Sequence, residues 1–154
     1  MAEKRIETKR LGADASGISD AADILRAGGL VAFPTETVYG LGADATNGQA
    51  VAGIFEAKGR PSFNPLIVHV SGLEMAERYG VFSDAARAFV EQAWPDAVSV
   101  VVALRTDSGL SELVTAGQSS VALRMPRSKI ALELLRAFGG PVAAPSANLS
   151  GKIS

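Results

Sequence analysis

No cysteine occurs among the 154 residues, and only one histidine and one tryptophan. Thiolate catalysis, Cys-ligated zinc, iron–sulfur clusters and disulfides are therefore excluded together. A lone histidine, His69, also rules out a multi-histidine metal centre. No apolar run reaches the ~18 residues that a membrane span needs. Charge is balanced, 15 basic against 16 acidic residues, so there is no electrostatic case for a dedicated nucleic-acid or membrane binder. The first ten residues are polar and mixed in charge, unlike a secretory leader, and a cytoplasmic location is expected. No Walker A loop, HExxH helix or GxSxG elbow is present.

What remains is a chain sized for one domain, expected over residues 1–154, that alternates helix and strand signals. Residues 1–17 read as an entry segment. Ser19 is expected to cap a first helix that stops at Gly28-Gly29. Leu30–Phe33 reads as a buried strand and Pro34–Gly42 as a hydroxyl- and glycine-rich loop. A helix follows over Gln49–Ala57, which Pro61 forbids from continuing. Leu66–Val70 is a strand, and Leu73–Tyr79 and Ser83–Ala93 are helices. Ser83 caps the second of these, whose inward face is expected to carry Ala86, Phe89, Val90 and Ala93. Val98–Leu104 is a β-branched strand, apolar on both faces, which suits a sheet covered on both sides. Val121–Leu123 is a strand, Ser128 caps a helix that ends at Gly139-Gly140, and Val142–Ala144 is the last strand. The pattern predicts an α/β layered domain.

Polar residues gather where strands end: Thr35, Glu36 and Thr37 after the first, His69 in the second, Arg124 after Val121–Leu123, Ser146 and Asn148 after the last. Ligands of open α/β sheets bind beyond strand carboxyl ends, so one cleft is expected to collect these groups. Lys58 and Arg60 flank one glycine at a helix end. They either complement the helix C-terminus or clamp phosphate, Lys as a point charge and Arg as a fork. A cation about 4 Å from a phosphate oxygen gains on the order of 4 kcal/mol at an effective dielectric near ~20, before desolvation. Ser146 and Asn148, one residue apart, point the same way on extended backbone, or else open a turn. Gly40-Leu41-Gly42-Ala43-Asp44-Ala45 formally fits the dinucleotide fingerprint. A loop is expected before it, so it reads as a glycine-rich turn.

The order of these elements carries a resemblance. Gly28-Gly29-Leu30-Val31-Ala32-Phe33-Pro34-Thr35-Glu36-Thr37-Val38-Tyr39-Gly40-Leu41-Gly42 resembles the opening signature of the YrdC-like threonylcarbamoyl-AMP synthase family. Lys58-Gly59-Arg60-Pro61 is similar to its Lys-x-Arg element and Asn64-Pro65-Leu66-Ile67-Val68-His69 to its next block. Val121-Ala122-Leu123-Arg124-Met125-Pro126 and Ala144-Pro145-Ser146-Ala147-Asn148 resemble later blocks, the last with its Ser-x-Asn element. The resemblance implies a twisted open mixed α/β sheet with helices packed on it and a concave substrate-binding face. It implies a nucleotidyltransferase that forms L-threonylcarbamoyladenylate and pyrophosphate from L-threonine, bicarbonate and ATP, with Mg2+ accompanying ATP and no protein side chain as metal ligand. Downstream tRNA threonylcarbamoyl-transfer proteins are the implied partners, with tRNA or double-stranded RNA as further candidates.

Carried onto this chain, the resemblance implies that Lys58, Arg60, Ser62, Ser120, Ser146 and Asn148 bind ATP. Thr35, His69, Arg124 and Ala144 are implied to bind threonine. Lys58 and Arg60 act on the triphosphate, and no covalent enzyme intermediate is expected. Two departures stand out. Trp94-Pro95-Asp96-Ala97-Val98-Ser99 replaces the family's Trp-Pro-Gly-Pro-Leu-Thr, which costs stability if Asp96 must adopt positive φ and sets a carboxylate near anionic ligands. The chain also reaches Ser154 soon after the Ser-x-Asn element, so the family's C-terminal elements are expected to be missing. Two other readings stay open at this level: an RNA-binding module of the same fold, and a homologue with lost or altered activity.

Overall fold

The computed structural model describes residues 6–154, so the first five residues of the expected entry segment lie outside it. Seven strands form one sheet: β1 Val31–Phe33, β2 Gly40–Asp44, β3 Ile67–His69, β4 Gly80–Val81, β5 Ser99–Leu104, β6 Ser120–Arg124 and β7 Val142–Ala143. Their order is β1-β2-β7-β3-β6-β5-β4. β3 and β6 are parallel, and the other pairs are antiparallel. The sheet is open and mixed, as the resemblance implies. Six helices accompany it: α1 Ala15–Arg26, α2 Gly48–Lys58, α3 Leu73–Ala76, α4 Asp84–Ala93, α5 Glu112–Thr115 and α6 Lys129–Phe138.

Each face of the sheet has its own core. On one, Val51, Ile54 and Phe55 of α2 and Val90 of α4 pack with Val68, Leu123 and Ala143. On the other, Ile18, Ala22 and Leu25 of α1 meet Leu134 and Leu135 of α6 over Phe33 and Val142. Full burial of one such Leu or Ile side chain contributes about 1.5–3 kcal/mol. The α1–α6 layer reaches only the β1, β2 and β7 side. Beyond it, the same face is bare on β5, half-buried at Ile67, Ser120, Ala122 and Arg124 of β3 and β6, and buried at His69.

That bare stretch corrects one expectation. β5 is not covered on both sides: Ser99, Val101 and Ala103 are exposed, Val101 at 70%, while Val100, Val102 and Leu104 face the packed side. Phe89 likewise points outward rather than into the core, and Val90 is the buried anchor of α4.

Caps explain most helix boundaries. Ser83 and Ser128 accept the backbone N–H of Ala86 and Ala131, as expected. Gly59 and Gly139 end α2 and α6 in the left-handed conformation. For α1 the cap is Asp14, whose carboxylate accepts the Gly17 N–H at 2.8 Å. Ser19 lies exposed inside the helix, because the buried stripe already begins at Gly17 and Ile18. The expected helix at Leu73–Tyr79 shortens to Leu73–Ala76, and the chain turns into β4.

The expected loop over Pro34–Gly42 gives way at Gly40 to β2, which pairs with β1 and β7. The glycines are there for packing. A Cβ on Gly42 would sit 2.7 Å from the Phe33 ring and 2.8 Å from Val142. The fingerprint-like run is thus a strand.

Candidate functional site

The open half of the sheet presents Ile67 and His69 of β3, Ser120, Ala122 and Arg124 of β6, and Ser99 of β5. Register puts them on one face: His69 pairs with Arg124, Ile67 with Ala122, and Arg124 with Ser99. Side chains directly opposite one another in a ladder share a face.

At one end of this face, β3 and β6 close with His69 and Arg124. Arg124 Nε donates to Ser99 Oγ at 2.9 Å. Its Nη1 stands 3.9 Å from Glu36 Oε1. His69 is buried, and the Phe33 ring lies edge-on to it with centroids 6.1 Å apart. Burial, reinforced by the Arg124 charge and partly offset by Glu36, lowers its pKa to about 4. The imidazole is therefore neutral at pH 7, with Nδ1 unpartnered.

At the other end, β7 changes the expected layout. It runs antiparallel to β3, so Ser146 and Asn148 emerge where β3 begins, not beside His69. Lys58 meets them there. Its ammonium, buried at the end of α2, donates to the carbonyl oxygens of Ser146 and Asn148. The Ser150 N–H returns a bond to the Lys58 carbonyl at 2.9 Å. Burial, then the nearby Arg60 charge, lowers the Lys58 pKa. Arg60 donates from Nη2 to the Pro65 carbonyl at 3.0 Å, while its Nε is buried without a partner. Burial lowers its pKa as well.

The expected site residues thus fall into two stations rather than one strand-end cleft. β3 advances ~3.3 Å per residue, which sets Ile67 and His69 roughly 7 Å apart along the face. The loop 34–39 connects the stations. Glu36 Oε2 accepts the Arg127 N–H at 3.2 Å near one, and the Tyr39 carbonyl accepts the Ala147 N–H at 2.8 Å near the other.

The remaining residues divide as follows. Ser120 lies half-buried on the open face at the start of β6. Thr35 Oγ1 is engaged within its own loop, donating to the Val38 carbonyl at 2.6 Å. The Asn148 amide donates to the carbonyls of Leu149 and Lys152, so it closes a turn and does not project beside Ser146. Ser62 is exposed in the turn after α2. Ala144 is buried beside Gly40, its N–H bonded to the Ile67 carbonyl at 3.1 Å, and does not reach the open surface. Glu36 is among the residues expected in the cleft but without an assigned role, and Ser99 is a contributor that sequence reasoning passed over, since only strand register brings it to Arg124.

Asp96 does not adopt positive φ; Ala116 is the one non-glycine residue that does among the described residues. Its Oδ1 accepts the Ala97 N–H at 2.7 Å and lies 3.6 Å from Arg127 Nη1. An apolar cleft of about 780 Å³ lies under residues 6–13, lined by Leu30, Val31, Leu41 and Ile130, and of the groups just described it holds only Phe33, Pro34, Tyr39 and Ala147. No helix is long and apolar enough to cross a membrane among the described residues.

Comparison with known proteins agrees with this architecture. The family described as Telomere recombination, Sua5/YciO/YrdC, matches residues 23–154. The threonylcarbamoyl-AMP synthase of Bacillus subtilis is 49% identical over 148 residues, covering 96% of this chain and 42% of that protein. That of Pyrococcus abyssi is 47% identical over 135 residues, covering 87% and 39%. The chain thus spans about two fifths of the length of these relatives. The structure of P. abyssi Sua5 complexed with L-threonine superposes with a TM-score of 0.87 at 44% identity, covering 95% of this chain and 42% of that one. Escherichia coli YciO shares the fold, with a TM-score of 0.78 at 22% identity over 88% of this chain and 65% of that one. With the family model, the relatives and the superposed structure in agreement, the chain belongs to the Sua5/YciO/YrdC family.

Proposed function

We propose that this chain catalyses formation of L-threonylcarbamoyladenylate and pyrophosphate from L-threonine, bicarbonate and ATP, as a nucleotidyltransferase. The observation that carries the reading is the set of cations at the two ends of β3: Arg124 beside His69 at its close, and Lys58 with Arg60 against the carbonyls of Ser146, Asn148 and Pro65 before its start. Arg124 suits an amino-acid carboxylate, and Lys58 with Arg60 a nucleotide phosphate. The L-threonine bound to P. abyssi Sua5, at 44% identity, supports this assignment.

The chemistry balances without a protein nucleophile. The neutral amine forms an N–C bond with bicarbonate and releases water. A carbamate oxygen then bonds the α-phosphorus as the bond to the β-phosphate oxygen breaks, and pyrophosphate leaves. Three anions meet in these steps, so preorganised cations supply the main stabilisation. Arg124 orients the carboxylate in a bidentate pair. Neutral His69 accepts from the amine or hydroxyl side and adds no competing charge. Lys58 exchanges a carbonyl bond for a phosphate oxygen, and Arg60 supplies the charge of its guanidinium. Ser62, Ser120, Ser146 and Asn148 are proposed contacts to the nucleotide, and Thr35 and the Ala144 backbone to threonine.

Magnesium enters as the complex with ATP. Phosphate oxygens of ATP are its proposed ligands. The proposed setting is the cytoplasm, and the product would pass to tRNA threonylcarbamoyl-transfer proteins. A formal net charge of −1 offers little phosphate neutralisation, so this reading is preferred to an RNA-binding module.

The test is pyrophosphate release from MgATP by the purified chain. Release that requires both L-threonine and bicarbonate, and disappears in Lys58→Ala and Arg60→Ala, supports the proposal. Release that ignores bicarbonate, or no release at all, removes it.

A further inference from the structure

The Glu36 side chain is only 4% exposed. One oxygen, Oε2, accepts the Arg127 N–H at 3.2 Å. The other, Oε1, is enclosed and has no hydrogen-bond partner. A buried acceptor left open is costly, and a native fold keeps one only when something compensates. The compensating group is Arg124, whose Nη1 stands 3.9 Å away. That separation is beyond hydrogen bonding but well within Coulombic reach.

Arg124 is thereby held from two sides. Ser99 of β5 holds Nε at 2.9 Å, and the Glu36 charge faces Nη1. Nη2 has no partner among the described residues. A closed pair at about 2.8 Å would occupy the donors that a ligand needs. The longer approach steers the guanidinium yet leaves its outer edge available.

We propose that Glu36 is a positioning residue: its carboxylate, fixed by the Arg127 backbone, aims the Arg124 guanidinium so that it presents a preset fork to a substrate carboxylate. The inference rests on the threonine reading above for the identity of that substrate. Glu36 need not touch the ligand. It lowers the ordering cost of Arg124 before binding, and such preorganisation appears as affinity. Loop 34–39 thus helps determine recognition through Glu36.

The experiment uses the full chain and three variants. Glu36→Gln keeps the shape and an acceptor for Arg127 but removes the charge. Glu36→Asp keeps the charge on a shorter stem, and Glu36→Ala removes both. L-Threonine affinity is measured by calorimetry without ATP, and the Arg124 Nε–H resonance is followed by 15N NMR. The expected result for Glu36→Gln is roughly tenfold weaker binding, the size of one charged interaction lost, with the Arg124 signal broadened and the melting temperature near wild type. Glu36→Asp should keep more affinity than Glu36→Gln. Wild-type affinity and a sharp Arg124 signal in Glu36→Gln overturn the inference, as do equal losses in the Gln and Asp variants. If the unaltered chain does not bind threonine, the substrate reading fails separately, and the Arg124 resonance alone decides the role of Glu36.

Discussion

His69 and Arg124 occupy paired positions at the ends of two parallel strands, β3 and β6, with His69 buried beside Phe33. A permanent cation beside a buried imidazole keeps the latter neutral, which gives a pH signature. The pKa of about 4 lies below the ordinary 6.5, through burial first and Arg124 second. The unfolded chain therefore binds a proton that the fold resists. Stability should be full above pH ~6.5 and fall as pH drops toward ~4, by up to about 3 kcal/mol from this group. Denaturant titrations from pH 4 to 7.5 on wild type and His69→Asn check it: the difference between their slopes should vanish above pH ~6.5. Parallel slopes throughout would contradict the buried neutral imidazole.

Lys58 joins the end of α2 to the segment after β7 through two carbonyl acceptors. Lys58→Met should cost about 1.5–3 kcal/mol, the range for bonds from a charged donor. Hydrogen exchange should quicken most at Ser150, whose N–H bonds the Lys58 carbonyl. Unchanged protection over residues 146–150 would show that the ammonium does not hold this segment.

Gly42 lies in the strand beneath Phe33. A methyl there would meet the ring at 2.7 Å and Val142 at 2.8 Å, and neither is a flexible chain end. Gly42→Ala should destabilise by about 1–3 kcal/mol through overpacking. Because Phe33 lies edge-on to His69, threonine affinity should weaken too. Thermal melting and calorimetry read the two effects separately.

Asp96 stands where the family has glycine, yet its backbone does not need glycine's freedom. Asp96→Gly should therefore lower stability by about 0.5–1 kcal/mol, through added unfolded-state entropy and the lost bond to Ala97. It should not raise pyrophosphate release. A gain in activity would mean that the carboxylate repels the anionic substrates.

Much of the fold was legible because local signals agreed with one another. Ser128 before an apolar stripe and Gly139 after it place α6 within a residue. The β-branched run at Val98–Leu104 identifies β5. Signals failed where a residue's reason was distant. Gly40 and Gly42 read as loop because glycine marks turns, but here they admit the Phe33 ring. Phe89 read as core from helical spacing, though no layer lies opposite it.

For the site, the Lys-x-Arg and Ser-x-Asn elements pointed to groups that do meet, at Lys58 and the carbonyls of Ser146 and Asn148. Their contact is through backbone oxygens, and no residue pattern encodes that. Strand direction was equally hidden. Antiparallel β7 carries Ser146 to the far end of the face from His69, which divides the expected single cleft in two.

The amino-acid sequence alone settled most helices and strands, the caps at Ser83, Ser128 and Gly139, the exclusion of thiol and multi-histidine chemistry, and the family, because these depend on neighbours within a few residues or on ordered motifs. Tertiary structure alone decided that the outer face of β5 stays bare, how Arg124 is held between Ser99 and Glu36, and that Lys58 and Arg124 stand at opposite ends of β3. Those properties arise from strand order and register, which bring together residues tens of positions apart, and hydrophobic periodicity along one segment carries no record of its partner across the sheet.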